Sequence, residues 1–203
     1  MCVAIRRGVM AARQPLKLYV QDRDLAAELL EKGFLRTMNP IVNLRLASLD
    51  DEAAIWEILQ PVLRAGDTYA IDTDIGRTAA LVWWFRGDHE VWAAEVAGVV
   101  VGSYYLQANQ EGPGSHVANC GYITAVGATG QGVATAMCQQ SLRRAAERGF
   151  HSMQFNLVVS SNTRAVALWH RLGFTTVGTI PDAFDHPDLG LVPAFVMYRP
   201  LAA

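Results

Sequence analysis

Apolar residues in the first strongly patterned segment of the chain fall at the spacing of one helix face, which predicts an amphipathic helix. The apolar positions are Ile55, Ile58, Leu59, Val62 and Leu63. Ser48 is a candidate N-cap with Asp51 three residues later, Pro61 is a candidate kink, and Gly66 is a suitable stop. A second, shorter helix is predicted at residues 78–87.

Runs rich in β-branched and aromatic residues follow, and they predict three consecutive strands. Residues 91–96 and 99–109 are separated by Ala97-Gly98, which has the length and chemistry of a tight hairpin. After a turn rich in Gly, Pro and Ser, residues 116–126 provide the third strand. Together they predict an antiparallel meander.

Helical spacing returns after this meander, and strands and helices then alternate. The remaining predicted elements are a helix at 133–149, a strand at 152–159, a helix at 163–173, and closing strands at 175–180 and 194–201 with a polar surface loop at 181–188 between them. A meander joined to a strand–helix–strand crossover predicts one α/β (α+β) domain.

The first 37 residues match the rest of the chain poorly. They begin basic and then offer one short helix, "DRDLAAELLEKG", whose acidic residues do not suit a mitochondrial presequence. Residues 1–37 are therefore interpreted as an N-terminal extension, with the domain at 38–203 and Met38 as a natural start.

Composition and charge exclude several classes of function. The formal net charge is −2 and the five His are scattered, so there is no basic stripe for nucleic acid. No apolar run reaches the roughly 20 residues of a membrane span. The three Cys show no C-x-x-C pair and no zinc spacing, which favours a reducing cytoplasm and no metal, and the acids in 181–188 do not define a ligand geometry.

The stretch "GATGQGVATA" (127–136) is the clearest candidate for binding. A strand that leads through Gly127, Gly130 and Gly132 into a helix leaves backbone N–H groups free at the helix N-terminus, which is an anion site, although close packing also explains such glycines. The spacing fits neither a Rossmann nor a Walker A loop, because the first requires an acidic residue at the next strand and the second a Gly-Lys-Ser/Thr.

The motifs together resemble the GCN5-related N-acetyltransferase (GNAT) family, and more closely its bacterial phosphinothricin or amino-acid N-acetyltransferase-like branch. The resemblance covers about residues 42–201 and rests on "TGQGVA" for the family's Gln/Arg-x-x-Gly-x-Gly/Ala signature, "ANCGYI" before it, "SSNTRAVALWHRLGF" and the closing segment. Thr129 departs from the signature's first position. The resemblance implies a mixed, mostly antiparallel sheet with a splayed strand pair flanked by helices, and acetyl-CoA as cosubstrate.

The resemblance also implies a set of cofactor-binding residues. Ile123 and Thr124 would offer main-chain groups to the acyl-pantetheine arm, and Asn162 would bond the same arm, although an N-cap role also explains it. Trp169 stands where the family usually has the Tyr that protonates the departing thiolate. The residues expected to cradle the pyrophosphate are Thr129, Gly130, Gln131, Gly132, Val133, Ala134 and Thr135.

Amide formation requires a neutral amine, so a proton acceptor is expected near the acetyl group. Alternation places His116, Cys120 and Tyr122 on one face of the third strand, and these three are the catalytic candidates, with His116 preferred. The structural alternatives are that His116 is a solvated turn residue and that Cys120 is a buried thiol. The acceptor pocket is expected to draw on the segment 66–72 and on 181–188. Its candidate residues are Thr68, Tyr69, Tyr104, Tyr105 and Asn119.

The predicted function is transfer of an acetyl group to a primary amine of a small molecule, such as an amino acid, by direct transfer in a ternary complex. Thr129 and Trp169 leave open a catalytically weak acyl-CoA-binding module, and a protein N-terminus or lysine is the alternative acceptor. The resemblance also implies a homodimer, with the Trp- and Phe-rich second helix as one source of apolar contact area, although core packing explains Trp83, Trp84 and Phe85 about as well.

Overall fold

A computed structural model describes residues 41–201 as a seven-stranded sheet with helices on both faces. The proposed N-terminal extension and its helix lie outside the described residues. The strands are β1 (Asn43–Leu46), β2 (Glu90–Val96), β3 (Val99–Ala108), β4 (Val117–Thr124), β5 (Ser152–Val159), β6 (Thr175–His186) and β7 (Gly190–Pro200). The helices are α1 (Glu52–Ala65), α2 (Arg77–Trp84), α3 (Val133–Glu147) and α4 (Thr163–Arg171).

The sheet order is β1-β2-β3-β4-β5-β7-β6, and every neighbouring pair is antiparallel except β4–β5. The predicted mixed, mostly antiparallel sheet is thus confirmed. Ala97 and Gly98 both have positive φ, 51° and 79°, as a tight hairpin between β2 and β3 requires.

Each face of the sheet has its own hydrophobic core. On one face, α1 and α2 bury Leu59, Leu63 and Trp84 against Tyr105 and Ile123. On the opposite face, α3 and α4 pack against the other side of β3, β4 and β5; the buried residues there include Tyr104, Met137, Met153, Trp169 and Phe174. The side chains of β4 therefore alternate between two cores, which fixes its register.

Ser48, the predicted cap, lies before a 3-10 turn and not directly before α1, whose preceding residue is Asp51. The carboxylate of Asp51 accepts hydrogen bonds from the backbone N–H of Ser48 at 2.7 Å and from its hydroxyl at 3.2 Å. A 3-10 turn, Leu49–Asp51, leads into the helix, which continues through Pro61 and ends at Gly66 with φ 62°.

The predicted surface loop at 181–188 is wrong. Strand β6 continues through this segment to His186 and forms a hairpin with β7. Pro181 and the positive φ of Asp182, 52°, are accommodated by a register shift between Ile180 and Phe184. A bulge lets residues that disfavour strands remain inside one. Within residues 41–201, no helix is long and apolar enough to cross a membrane.

Candidate active site

Strands β4 and β5 are paired only at one end, and their separation opens a cleft. The pairing joins Val117 to Ser152 and Ala118 to Met153, and the side chain of Asn119 then donates to the carbonyl of Gln154 at 2.8 Å where the strands part. Beyond this point lies a cleft of about 990 Å³, lined by the loop after α1, the free edge of β4, the start of α3, the end of β5 and one side of α4. This is the expected splayed strand pair.

The exposed edge of β4 offers main-chain groups from alternate residues. The N–H of Ala125 donates to Val101 on β3, whereas the carbonyl of Tyr122 accepts a bond of 2.9 Å from the hydroxyl of Tyr69 across the cleft. Since successive residues of a strand point their main-chain groups in opposite directions, Thr124 faces the cleft and Ile123 faces β3. Of these two expected cofactor residues, only Thr124 lines the cleft.

The glycine-rich loop presents the N-terminus of α3 to the same cleft. Gly130 and Gly132 have φ of 81° and 84°, and Gly132 is the residue before the helix. The first-turn N–H groups of an α-helix have no partner within the helix, so those of 133–135 can bind an anion. Thr129, Gly130, Gly132, Val133, Ala134 and Thr135 all line the cleft.

Gln131 is the exception among the expected loop residues. Its side-chain amide donates to the carbonyl of Gly127 at 2.7 Å, and it does not line the cleft. Gln131 therefore stabilises the glycine-rich loop through a hydrogen bond within the loop.

The wall formed by α4 adds a capping amide and positive charge. The side-chain oxygen of Asn162 accepts a hydrogen bond of 3.1 Å from the N–H of Ala165, which confirms the N-cap role. The side-chain amide nitrogen takes no part in this bond and can donate to another partner. Arg164 and Arg171 also line the cleft. Sequence reasoning did not single them out, although both stand in the segment that carried the resemblance.

Aromatic residues form the floor of the cleft. The ring centroid of Trp169 lies 5.1 Å from those of Tyr122 and Phe155. The hydroxyl of Tyr122 is 2.7 Å from that of Ser141 on α3, and burial raises its pKa well above the usual value. Burial likewise raises the pKa of the Cys120 thiol. Both groups are therefore neutral at physiological pH, and neither is an effective proton acceptor.

The loop between α1 and α2 also lines the cleft. Thr68 and Tyr69, both expected there, line the cleft, as does Asp67, which sequence reasoning did not name. The ring of Tyr69 packs edge-on against Trp83, with centroids 5.4 Å apart. The sequence could have identified Asp67, because it stands directly before Thr68 and Tyr69 in the predicted acceptor loop.

Several expected site residues lie elsewhere. His116 is exposed before the paired end of β4, with Nδ1 at 3.1 Å from the carbonyl oxygen of Pro113. It shares the predicted face with Cys120 and Tyr122, but six strand residues span about 20 Å, and His116 does not line the cleft. Its position outside the cleft argues against His116 as the proton acceptor.

Tyr104, Tyr105 and Asn119 also lie outside the cleft lining. Tyr104 is fully buried in the core beneath α3, and Tyr105 is stacked on His89 with ring centroids 4.0 Å apart. Asn119 is occupied by the bond to Gln154 described above. None of the three therefore lines the expected acceptor pocket: both faces of β3 are covered by helices, and Asn119, on β4, bonds to β5 where the two strands part.

Comparison with known proteins agrees with this geometry. The model of the acetyltransferase (GNAT) family matches residues 53–174. A GCN5-related N-acetyltransferase structure from Kribbella flavida is 40% identical with a TM-score of 0.76, and the match covers 79% of this chain and 98% of that one.

Two further proteins are similar over shorter or more divergent ranges. The N-acetyltransferase aca1 of Schizosaccharomyces pombe is 28% identical over 137 residues, which cover 60% of this chain and 66% of that protein, a little under two thirds of its length. A phosphinothricin acetyltransferase from Sinorhizobium meliloti, solved in complex with acetyl-CoA, has the same fold, with a TM-score of 0.69 at 20% identity over 79% of this chain and 89% of that one.

The family match covers more than half of the chain and coincides with the splayed strands and the glycine-capped helix. The chain therefore belongs to the acetyltransferase (GNAT) family.

Proposed function

We propose that the enzyme transfers the acetyl group of acetyl-CoA to a primary amine of a small molecule by direct transfer in a ternary complex. The observation that carries this proposal is the cleft, whose lining includes both the N-terminus of α3 and the loop of Thr68 and Tyr69. A cofactor with its phosphates at α3 and its pantetheine along β4 would direct its acyl group toward that loop.

Each wall has a distinct role in binding the cofactor. The free N–H groups at 133–135 and the two arginines of α4 are suited to phosphates, and their combined positive charge offsets the side chain that Thr129 lacks. The main-chain groups of Tyr122 and Thr124 and the amide of Asn162 are suited to the amides of the pantetheine arm.

The chemistry requires no covalent enzyme intermediate. The amine nitrogen attacks the thioester carbonyl carbon of acetyl-CoA, a C–N bond forms as the C–S bond breaks, and the nitrogen loses a proton. The raised pKa of Cys120 argues against an acyl-thiol intermediate, because only a thiolate is an effective nucleophile. Trp169 has no acidic proton to supply, so the thiolate takes its proton from water or from the nitrogen.

Thiol release from acetyl-CoA tests this proposal, measured with amino acids, arylalkylamines, polyamines and short peptides and without an acceptor. We expect saturable release with one class of amine and a product heavier by one acetyl group. Release only with peptides would favour the protein acetyltransferase, and cofactor binding without turnover of any acceptor would favour the binding module.

We also propose a homodimer in a reducing cytoplasm. Large apolar side chains are exposed on the β6–β7 hairpin, and β6 is an edge strand; these side chains are Val177, Ile180, Leu189 and Leu191. Helix α2 is a weaker candidate surface because Trp84 is fully buried. The two described cysteines, Cys120 and Cys138, are free and buried, as is usual in a reducing compartment.

A further inference from the structure

We propose that Asp67 is the residue that recognises the acceptor and binds it as a cation. This inference rests on the proposed amine acetylation and adds a specificity determinant to it. The substrate class that follows is an amine in its ammonium form, which is bound through its charge and loses one proton to water before the nitrogen attacks.

The distribution of ionisable side chains around the cleft supports this assignment. Among the described residues, six lining groups can carry charge: Asp67, Tyr69, Cys120, Tyr122, Arg164 and Arg171. Burial keeps the two tyrosines and the thiol neutral by raising the pKa of each. Both cations lie on α4, which leaves Asp67 as the single anion of the lining, on the wall formed by the loop after α1.

The carboxylate of Asp67 is available for a ligand. Its Oδ1 accepts a hydrogen bond of 2.8 Å from the hydroxyl of Thr68, and within residues 41–201 it takes part in no ion pair. The side chain is half-buried. A partly desolvated carboxylate attracts a cation more strongly than an exposed one, because water screens the charge less.

Tyr69 holds this loop against the strand that faces the cofactor. Its hydroxyl donates to the carbonyl of Tyr122, and its ring packs against Trp83 and Trp84 on α2. Asp67 is two residues from this fixed point. The loop that carries the carboxylate is thereby tied to the edge of β4 along which the pantetheine is proposed to lie.

The same loop contains a matched control. Asp74 is exposed, does not line the cleft, and lies within the same connection between α1 and α2. Its replacement by Asn removes one negative charge from the loop without changing the cleft.

The test compares steady-state kinetics of the wild type with Asp67→Asn, Asp67→Glu, Tyr69→Phe and Asp74→Asn at saturating acetyl-CoA. The probes are benzylamine, tyramine, spermidine and the common amino acids. We expect Asp67→Asn to raise the KM of each accepted amine by about tenfold and to lower kcat by less than about threefold, because Asp67 binds the cation before the nitrogen attacks.

Three further readouts separate recognition from a structural effect. The KM of the wild type should rise with NaCl while that of Asp67→Asn does not, because salt screens only an existing charge pair. Asp67→Glu should partly restore a low KM. Tyr69→Phe, which keeps the ring and loses one bond, should raise the acceptor KM and leave the KM for acetyl-CoA within about twofold.

The outcomes are distinct. Equal acceptor KM values for Asp67→Asn and Asp74→Asn in an active enzyme would overturn the role of Asp67 and leave the proposed function intact. A wild type that binds acetyl-CoA but acetylates none of the amines would overturn the proposed function, and this inference with it.

Discussion

The two roles of Asn162 can be separated by a single substitution. Its side-chain oxygen caps α4 through the N–H of Ala165, and its amide nitrogen is proposed to bond the cofactor. Serine is as good an N-cap as asparagine but has no amide donor. We expect Asn162→Ser to unfold at the wild-type temperature and to bind acetyl-CoA about three- to tenfold more weakly, measured by calorimetric titration. An unchanged affinity would restrict Asn162 to capping.

The ion pair of Asp51 with Arg45 makes stability depend on pH. Arg45 donates from two nitrogens at 2.7 Å, and these bonds, with help from Ser48, lower the pKa of Asp51 to about 2. Because this value is below the roughly 3.9 of an unfolded aspartate, the stabilisation is complete above that pH and is lost as the pH falls toward 2.

Urea unfolding between pH 6 and 2.5 measures this effect, with Asp51→Asn compared to the wild type. We expect the wild type to lose about 1–2 kcal/mol of unfolding free energy that the variant does not lose. The loss is smaller than the full pKa shift would give, because Arg45 is partly exposed and water screens its charge. Asp50→Asn, at the exposed neighbouring position, is the control. Parallel pH profiles for wild type and Asp51→Asn would show that the pair contributes nothing.

At the scale of elements, α3 carries a matched pair of glycines at its two ends. Gly132 before the helix and Gly149 after it have φ of 84° and 82°, and an added Cβ would have no neighbour within 4 Å at either position. Only Gly132 lines the cleft. Replacement by Ala should destabilise the protein at either position by about 1–2 kcal/mol, since an L residue disfavours this conformation.

The two variants should differ in cofactor binding. We expect Gly132→Ala to weaken acetyl-CoA binding by about tenfold or more, because its methyl group occupies space that a phosphate at the helix N-terminus needs, and Gly149→Ala to bind normally. Equal affinities in calorimetric titration would place the phosphates away from α3.

Features of the site that are formed by residues close together in the sequence were predictable. The cap at Asn162, the glycines before α3 and the hairpin at Ala97-Gly98 are local, so the sequence alone indicates them. The loop predicted at 181–188 was wrong because Pro181 and Asp182 are tolerated by a bulge whose existence depends on pairing with β7. Local composition does not contain that information.

The sequence also did not predict where along β4 the two strands separate, or which distant segments are in contact. Alternation identified the face shared by His116, Cys120 and Tyr122 but not the position at which β4 and β5 separate. Likewise, the contact of Tyr69 with Tyr122, 53 residues away in sequence, which brings the loop of Asp67 to the edge of β4, could not be predicted. Such contacts are products of the tertiary fold.

At the scale of the whole molecule, the proposed dimer depends on the β6–β7 hairpin. Leu189 and Leu191 are each 62% exposed, and Val177 is 59% exposed. We expect the wild type to sediment as a dimer and Val177→Lys with Leu191→Lys to sediment as a monomer, because buried lysines oppose association. A monomeric wild type at micromolar concentration would refute the proposal.

Backbone amide exchange, measured by NMR with and without acetyl-CoA, tests the central claim most directly. If the cofactor lies between β4 and β5 with its phosphates at α3, exchange should slow by about tenfold or more at Tyr122, Thr124 and residues 132–135. Gly121 and Ile123, whose main-chain groups face β3, should be unaffected and serve as internal controls. Slowing at a different surface, with these residues unchanged, would contradict the account.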